Sequence, residues 1–262
     1  MSASAPRARV TAVTSGKGGV GKTFLSANLA ASLAQRGLRV LVLDADLGLA
    51  NLDVVLNLQT KKTLHDVFSG TATLDDAIVP APGGFSVLLA GSGLVEYSRL
   101  TPEMRDKLLR IIDTVAPRFD HILLDTGAGI SDVVLYAVSL ADDVLVIATP
   151  EPTSMTDAYA TIKVLATQQG RSAIRLVVNQ CGQAGEGRTI RNQLQLVVNR
   201  FVLPLLAAGQ APTVLELLGE VPLDPAVREA VLGRRLLVDA QPGAPAAAAV
   251  AAIAAIAAKV AA

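Results

Sequence analysis

Residues Ser15-Gly16-Lys17-Gly18-Gly19-Val20-Gly21-Lys22-Thr23 stand directly behind a β-branched run, residues 10–14, and ahead of a helix-patterned stretch. The chain therefore has to run a strand into a glycine loop and the loop into a helix. The segment fits G-x-x-x-x-G-K-[ST], in which glycines let backbone N–H groups curl around an anion. In that pattern Lys22 reaches the β and γ phosphates and the Thr23 hydroxyl serves a magnesium ion. The alternative is a turn that only joins strand to helix, but a β-type run before the loop and a helix start after it satisfy the structural context the motif requires. The expected ligands are ATP or ADP with Mg2+. Lys17 is unusual: it puts a second cation inside a loop that normally needs one.

Short β-branched runs recur between helical patterns, at residues 10–14, 39–44, 85–90, 121–125, 144–149, 174–179 and, briefly, 220–223. Several are continuously apolar, as in strands covered on both faces, and helical crossovers then make the sheet mostly parallel. The expected fold is α/β: a doubly wound, mostly parallel sheet with helices on both faces. Thr101-Pro102-Glu103 supplies a cap, a first-turn proline and an early acid for a helix over 104–115, stopped by Pro117. Gly37 closes the first helix in a similar way.

The chain's 262 residues, half of them apolar, suit one large domain, and no linker divides it. The expected organisation is a short disordered segment over 1–9, an ATPase domain over 10–240 and an alanine-rich helix over 241–262. Net charge is zero and no basic run exceeds Lys61-Lys62 or Arg234-Arg235, so there is no clear nucleic-acid signal. A single cysteine, Cys181, excludes an internal disulfide and reads as a small buried apolar residue. Residues 1–9 hold no apolar signal-peptide core, and the expected location is cytoplasmic, with transient visits to the inner membrane or cell pole allowed. His65 and His121 have no metal-ligand spacing. Residues 182–187 are polar and glycine-rich, as in a mobile surface loop.

Ligands in such sheets lie beyond the carboxyl ends of the strands. Asp44 and Asp46 end the second run and Asp125 ends the fourth, so three acids collect beside the loop. Magnesium takes oxygen ligands and keeps several waters, which suits carboxylates near bound phosphates. The competing reading of each acid is a helix N-cap.

With its inner lysine, SGKGGVGKT, together with DADLGLANLD, LLDTGAG, ATPEPTSMTDAY and VVNQ, resembles the deviant Walker A ATPases of the MinD/ParA family from about Val10 to about Arg235. Within that family, residues 48–53, 62–67 and 91–93 look most similar to the subfamily of flagellar-number regulators, FlhG/FleN. The resemblance implies a P-loop NTPase fold and slow, partner-stimulated hydrolysis of ATP in an ATP-dependent homodimer. It makes Lys17 the lysine that crosses to the partner's ATP, Lys22 the cis phosphate lysine and Asp46 the water-positioning acid, all three catalytic. It makes Thr23, Asp44 and Asp125 the magnesium residues. The loop residues Gly18, Gly19, Val20, Gly21, Lys22, Thr23 and Phe24 hold nucleotide, while Asn179 reads the base with Pro222 and Asp224 beside the adenine. Glu151 and Asp157 match positions near the dimer face, and Glu151 joins the nucleotide set.

Two features depart from the family. Phe24 stands where the family has a small or polar residue, and packing under the loop accounts for it. In the tail, Val250, Ile253, Ile256 and Val260 fall near helical spacing among alanines with Lys259 as the only cation, so weak or no membrane binding and packing on the domain are expected. The implied partners are a flagellar transcriptional activator, the GTPase FlhF or a switch component. Nine residues before the first strand are too few for an FlhF-stimulating helical segment with a linker, so stimulation of FlhF is not expected. The implied role is regulation of flagellar assembly or number. The alternatives are a division-site or replicon-positioning ATPase, and a nucleotide-dependent binding module with negligible turnover.

Overall fold

The structure is a computed structural model that describes residues 7–46, 51–91 and 101–261. Residues 1–6 of the expected N-terminal segment, and residues 48–50 and 92–93 of the flagellar-type stretches, lie outside the described residues. The first half runs β1 (Arg9–Ser15), α1 (Lys22–Ala34), β2 (Val40–Ala45), α2 (Leu52–Leu56), α3 (Leu64–Ser69), α4 (Leu74–Ala77), β3 (Ile78–Pro80), β4 (Ser86–Leu88), α5 (Pro102–Val115) and β5 (His121–Ala128). It continues through α6 (Asp132–Ser139), β6 (Asp143–Ala148), α7 (Pro152–Gln169), β7 (Ala173–Cys181), α8 (Glu186–Phe201) and β8 (Val214–Pro222), then α9 (Pro225–Leu232), α10 (Leu237–Ala240) and α11 (Pro245–Ala261). The described strands form one sheet in the order β3-β4-β2-β5-β1-β6-β7-β8, parallel except for the β3–β4 pair.

Alternate residues of the central strands divide the core into two layers. Val10, Ala12, Leu41, Leu43, Ile122 and Leu124 face α5 to α8, while Val13, Val40, Val42 and Leu123 face α1, α10 and α11. This is the doubly wound architecture that continuous apolar runs imply. Because β1 sits between β5 and β6, its carboxyl end opens into the crevice where the winding reverses, and the glycine loop occupies that crevice. The α5 start follows the sequence reading, with the Thr101 hydroxyl accepting from Met104 N at 3.3 Å and Pro102 at the first helical position.

Four expectations change. Ala8 is buried and its N–H donates to Ala116 O at 2.9 Å, so order begins before residue 10. A short antiparallel strand, β3, precedes β4. The last strand spans nine residues, not four: a register shift opposite Leu176 and Val177 accommodates the Leu217-Leu218 doublet, which disguises the alternation. The 182–187 segment is pinned rather than loose, because the Glu220 carboxylate accepts from Gly185 N at 2.7 Å and from Gly187 N at 2.9 Å.

The tail packs on the domain as expected, and it is no separate unit. Ala246, Ala247, Val250, Ile253 and Ala254 are buried against α1 and β8, while Ile256 faces outward. No described helix is long and apolar enough to cross a membrane.

Candidate functional site

A cavity of about 990 Å³ lies over the carboxyl ends of the strands, walled by the glycine loop, Asp46, Gly127, Asn179 and α9. That is at the upper end of the range, roughly 300–1,000 Å³, that small-molecule sites occupy. Gly16 allows the loop to start where it does: a Cβ there would stand 2.1 Å from the Asp157 carbonyl oxygen of α7. Gly21, at φ 95°, turns the chain into α1 through a left-handed conformation that side chains resist. Gly18 and Gly19 face open space, as a phosphate cradle requires.

Lys22 reaches back across this loop, its Nζ donating to Ser15 Oγ at 2.9 Å, and Ser15 Oγ donates in turn to Lys17 O at 2.7 Å. Burial lowers the Lys22 pKa, with Asp125 and Asp46 pulling against it. The Thr23 hydroxyl bonds to Asp125, and Ser26 Oγ donates to the same carboxylate at 2.9 Å. Even so, burial raises the Asp125 pKa to about 6.

Asp44 pairs with Asp125 across β2 and β5, which sets two carboxylates side by side in the interior. Burial and then Asp125 push the Asp44 pKa well above the usual carboxylate range, and its Oδ2 is buried without a hydrogen-bond partner. Asp46 follows, its N–H donating to Asp44 Oδ1 at 3.1 Å, and its carboxylate lies over Gly127, where a Cβ would meet it at 3.4 Å. Such a concentration of oxygen ligands, short of positive charge, fits a hard divalent cation. No cluster of three metal-ligating acids, histidines or cysteines is complete among the described residues. Magnesium completes its shell with phosphates and water, so it needs no all-protein cage.

At the far end, Pro222 and Asp224 line the cavity as expected. Both Asp224 oxygens serve backbone, however: Oδ1 accepts from Ala226 N at 2.9 Å as the α9 cap and Oδ2 from Ala246 N at 3.0 Å in α11. Asn179 also faces the cavity, but its Nδ2 donates to Val20 O at 2.8 Å and its Oδ1 accepts from Gln180 N at 3.0 Å. Val20 is buried in the layer beneath the loop, and Phe24 packs in the same layer while also lining the cavity.

Lys17 and Glu151 stand outside the cavity lining. Lys17 Nζ bonds to Glu151 and donates to Thr153 Oγ1 at 3.0 Å, so the second loop lysine is held by the start of α7 in its own chain. The sequence reading missed Ser15, Asn51, Gln180 and Arg228. Ser15 directly abuts the motif and was legible there; Arg228 comes from a helix with nothing in its local pattern to mark it.

A family model described as an AAA domain matches residues 8–177. Antiactivator FleN of Pseudomonas aeruginosa is 41% identical over 234 residues, covering 89% of this chain and 80% of the relative. The flagellum site-determining protein YlxH of Helicobacter pylori is 36% identical over 198 residues, covering 74% of this chain and 65% of the relative. Among solved structures, the septum site-determining protein MinD complexed with Mg-ADP from Pyrococcus horikoshii superposes with a TM-score of 0.77 at 27% identity, covering 97% of each chain.

Proposed function

The chain belongs to the MinD/ParA family of P-loop ATPases, and from that premise we propose that it is a flagellar-number or site-determining ATPase that cycles between an ATP-bound dimer and a monomer. It takes ATP, returns ADP and phosphate, and uses Mg2+. The observation that carries the reading is the meeting of Lys22, Thr23, Asp44, Asp46 and Asp125 around one glycine loop, in a chain 41% identical to Antiactivator FleN and 36% identical to a flagellum site-determining protein.

Phosphoryl transfer is accelerated chiefly by positioning and by neutralising charge on the transferring oxygens. The backbone N–H groups of residues 18–22 would cradle the phosphates, and Lys22, whose Nζ donates to Ser15 Oγ, supplies the cis positive charge. Thr23, Asp44 and Asp125 are the residues that would hold magnesium, which would supply charge neutralisation to the phosphates. Asp46, held at the rim by Asp44, orients the attacking water. Lys17, released from Glu151 and Thr153, supplies the trans charge, so turnover waits on dimerisation.

The dimer is the regulatory state, and its partner is a flagellar regulator such as a transcriptional activator or an assembly component. Filament counting by electron microscopy tests this. A strain lacking the gene changes filament number, the wild-type gene restores it and a Lys22→Ala copy does not. Normal flagellation with misplaced septa or lost replicons would move the protein to a positioning role.

A further inference from the structure

We propose that Asn179 is a positioning residue for the glycine loop: its side-chain amide ties the end of β7 to Val20 O and thereby sets the phosphate cradle from the base end of the pocket. This rests on the nucleotide-site reading above and adds a role distinct from reading the base.

The geometry is specific. Asn179 is nine-tenths buried, and its Nδ2 donates to a carbonyl 159 residues earlier at 2.8 Å. Its Oδ1 accepts from Gln180 N at 3.0 Å, and Gln180 has φ 60°, an uncommon value for a residue other than glycine. The side chain is thus oriented from both ends. Gly21 is shaped to it, since a Cβ there would stand 2.4 Å from Asn179 Nδ2. The strut reaches the loop at the residue before Gly21, whose carbonyl accepts the first α1 bond from Leu25 N at 2.9 Å. A primary amide has two N–H groups and two carbonyl lone pairs, so one of each remains for a base. A single side chain can therefore meet the base and hold the loop that meets the phosphates. Without it the loop has to be ordered at the moment of binding, and affinity falls for any nucleoside triphosphate.

The test uses Asn179→Ala and Asn179→Asp, the latter keeping size and the Oδ1 acceptor while losing the donor to Val20. Two quantities are measured on the full chain: hydrogen exchange across residues 20–28 without nucleotide, and ATP and GTP affinities by competition. The expected result in both variants is amide exchange faster by on the order of tenfold at the first turn of α1. ATP and GTP binding should both weaken by a similar factor, over and above any ATP-to-GTP preference lost with the base contact. Unchanged exchange, or a loss confined to ATP that erases the preference, would overturn the proposal and leave a base-reading residue only. If Asn179→Ala does not fold, Asn179→Asp decides by the same two readouts. A wild-type chain that bound no ATP would instead sink the site reading, while the exchange result would still judge the strut.

Discussion

His121 is buried under the amino ends of the central strands, with Thr11 Oγ1 2.9 Å from its Nε2. Burial lowers its pKa from 6.5 to about 4; Asp143 and Asp142 pull it up, and Arg9 and Arg175 push it down. The unfolded chain takes up a proton as pH falls below 6.5, and the folded chain resists until about 4. This stabilising contribution is therefore complete above pH 6.5 and lost on acidification to about pH 4, amounting to about 3 kcal/mol. His121→Gln should lose less stability than wild type between pH 7 and pH 4.5, read from urea midpoints, and equal losses would contradict the assignment. At this scale the glycine loop that the structure places at the cavity was legible because Lys22, Thr23 and the glycines lie in one short run. The tether of Asn179 to Val20 and the double cap made by Asp224 were not, since their partners are 159 and 22 residues away and no local pattern marks them.

The close fit of α11 on β8 centres on Gly219, where a Cβ would stand 2.6 Å from Ile253 Cγ1 and 3.0 Å from its Cδ1. Ile253 is itself buried and cannot swing away, so Gly219→Ala should cost about 1–3 kcal/mol through overpacking. Ile253→Ala should cost about 2–5 kcal/mol through lost burial and a cavity. The double variant should be less destabilised than the sum of the two, because the smaller side chain at 253 makes room for the new methyl. Additive urea-unfolding energies would refute this contact. The same packing predicts that ATP-bound protein co-sediments only weakly with anionic liposomes, since Val250 and Ile253 are occupied in the core and Lys259 is the one cation of the helix. Strong sedimentation that is lost on deleting residues 246–262 would show that α11 leaves its site. The bland, small-residue composition of the tail had already indicated packing. The nine-residue β8 beneath it was hidden because apolar doublets at a bulge mimic a helical pattern.

For the molecule as a whole, the parallel sheet follows from runs of apolar residues separated by helices, and it gathers Asp44, Asp46 and Asp125 together because Asp44 and Asp46 lie at the carboxyl end of β2 and Asp125 stands opposite Asp44 on the neighbouring parallel β5. On the proposed reading Lys17 serves a nucleotide held by a second copy. Lys17 bonds to Glu151 and Thr153 of its own α7 and lies outside the cavity, so delivering its charge to a second nucleotide requires it to exchange those partners for phosphate oxygens. On the same reading Lys22 and Thr23 serve the nucleotide of their own chain, which separates ATP binding from dimerisation. Lys17→Ala should therefore bind ATP with affinity near wild type but remain monomeric. Asp46→Ala keeps the phosphate contacts and loses water orientation, so it should accumulate as an ATP-bound dimer with turnover reduced on the order of a hundredfold. Light scattering of the two variants with ATP and Mg2+ distinguishes them, and identical masses would mean that the loop lysine does not join the subunits.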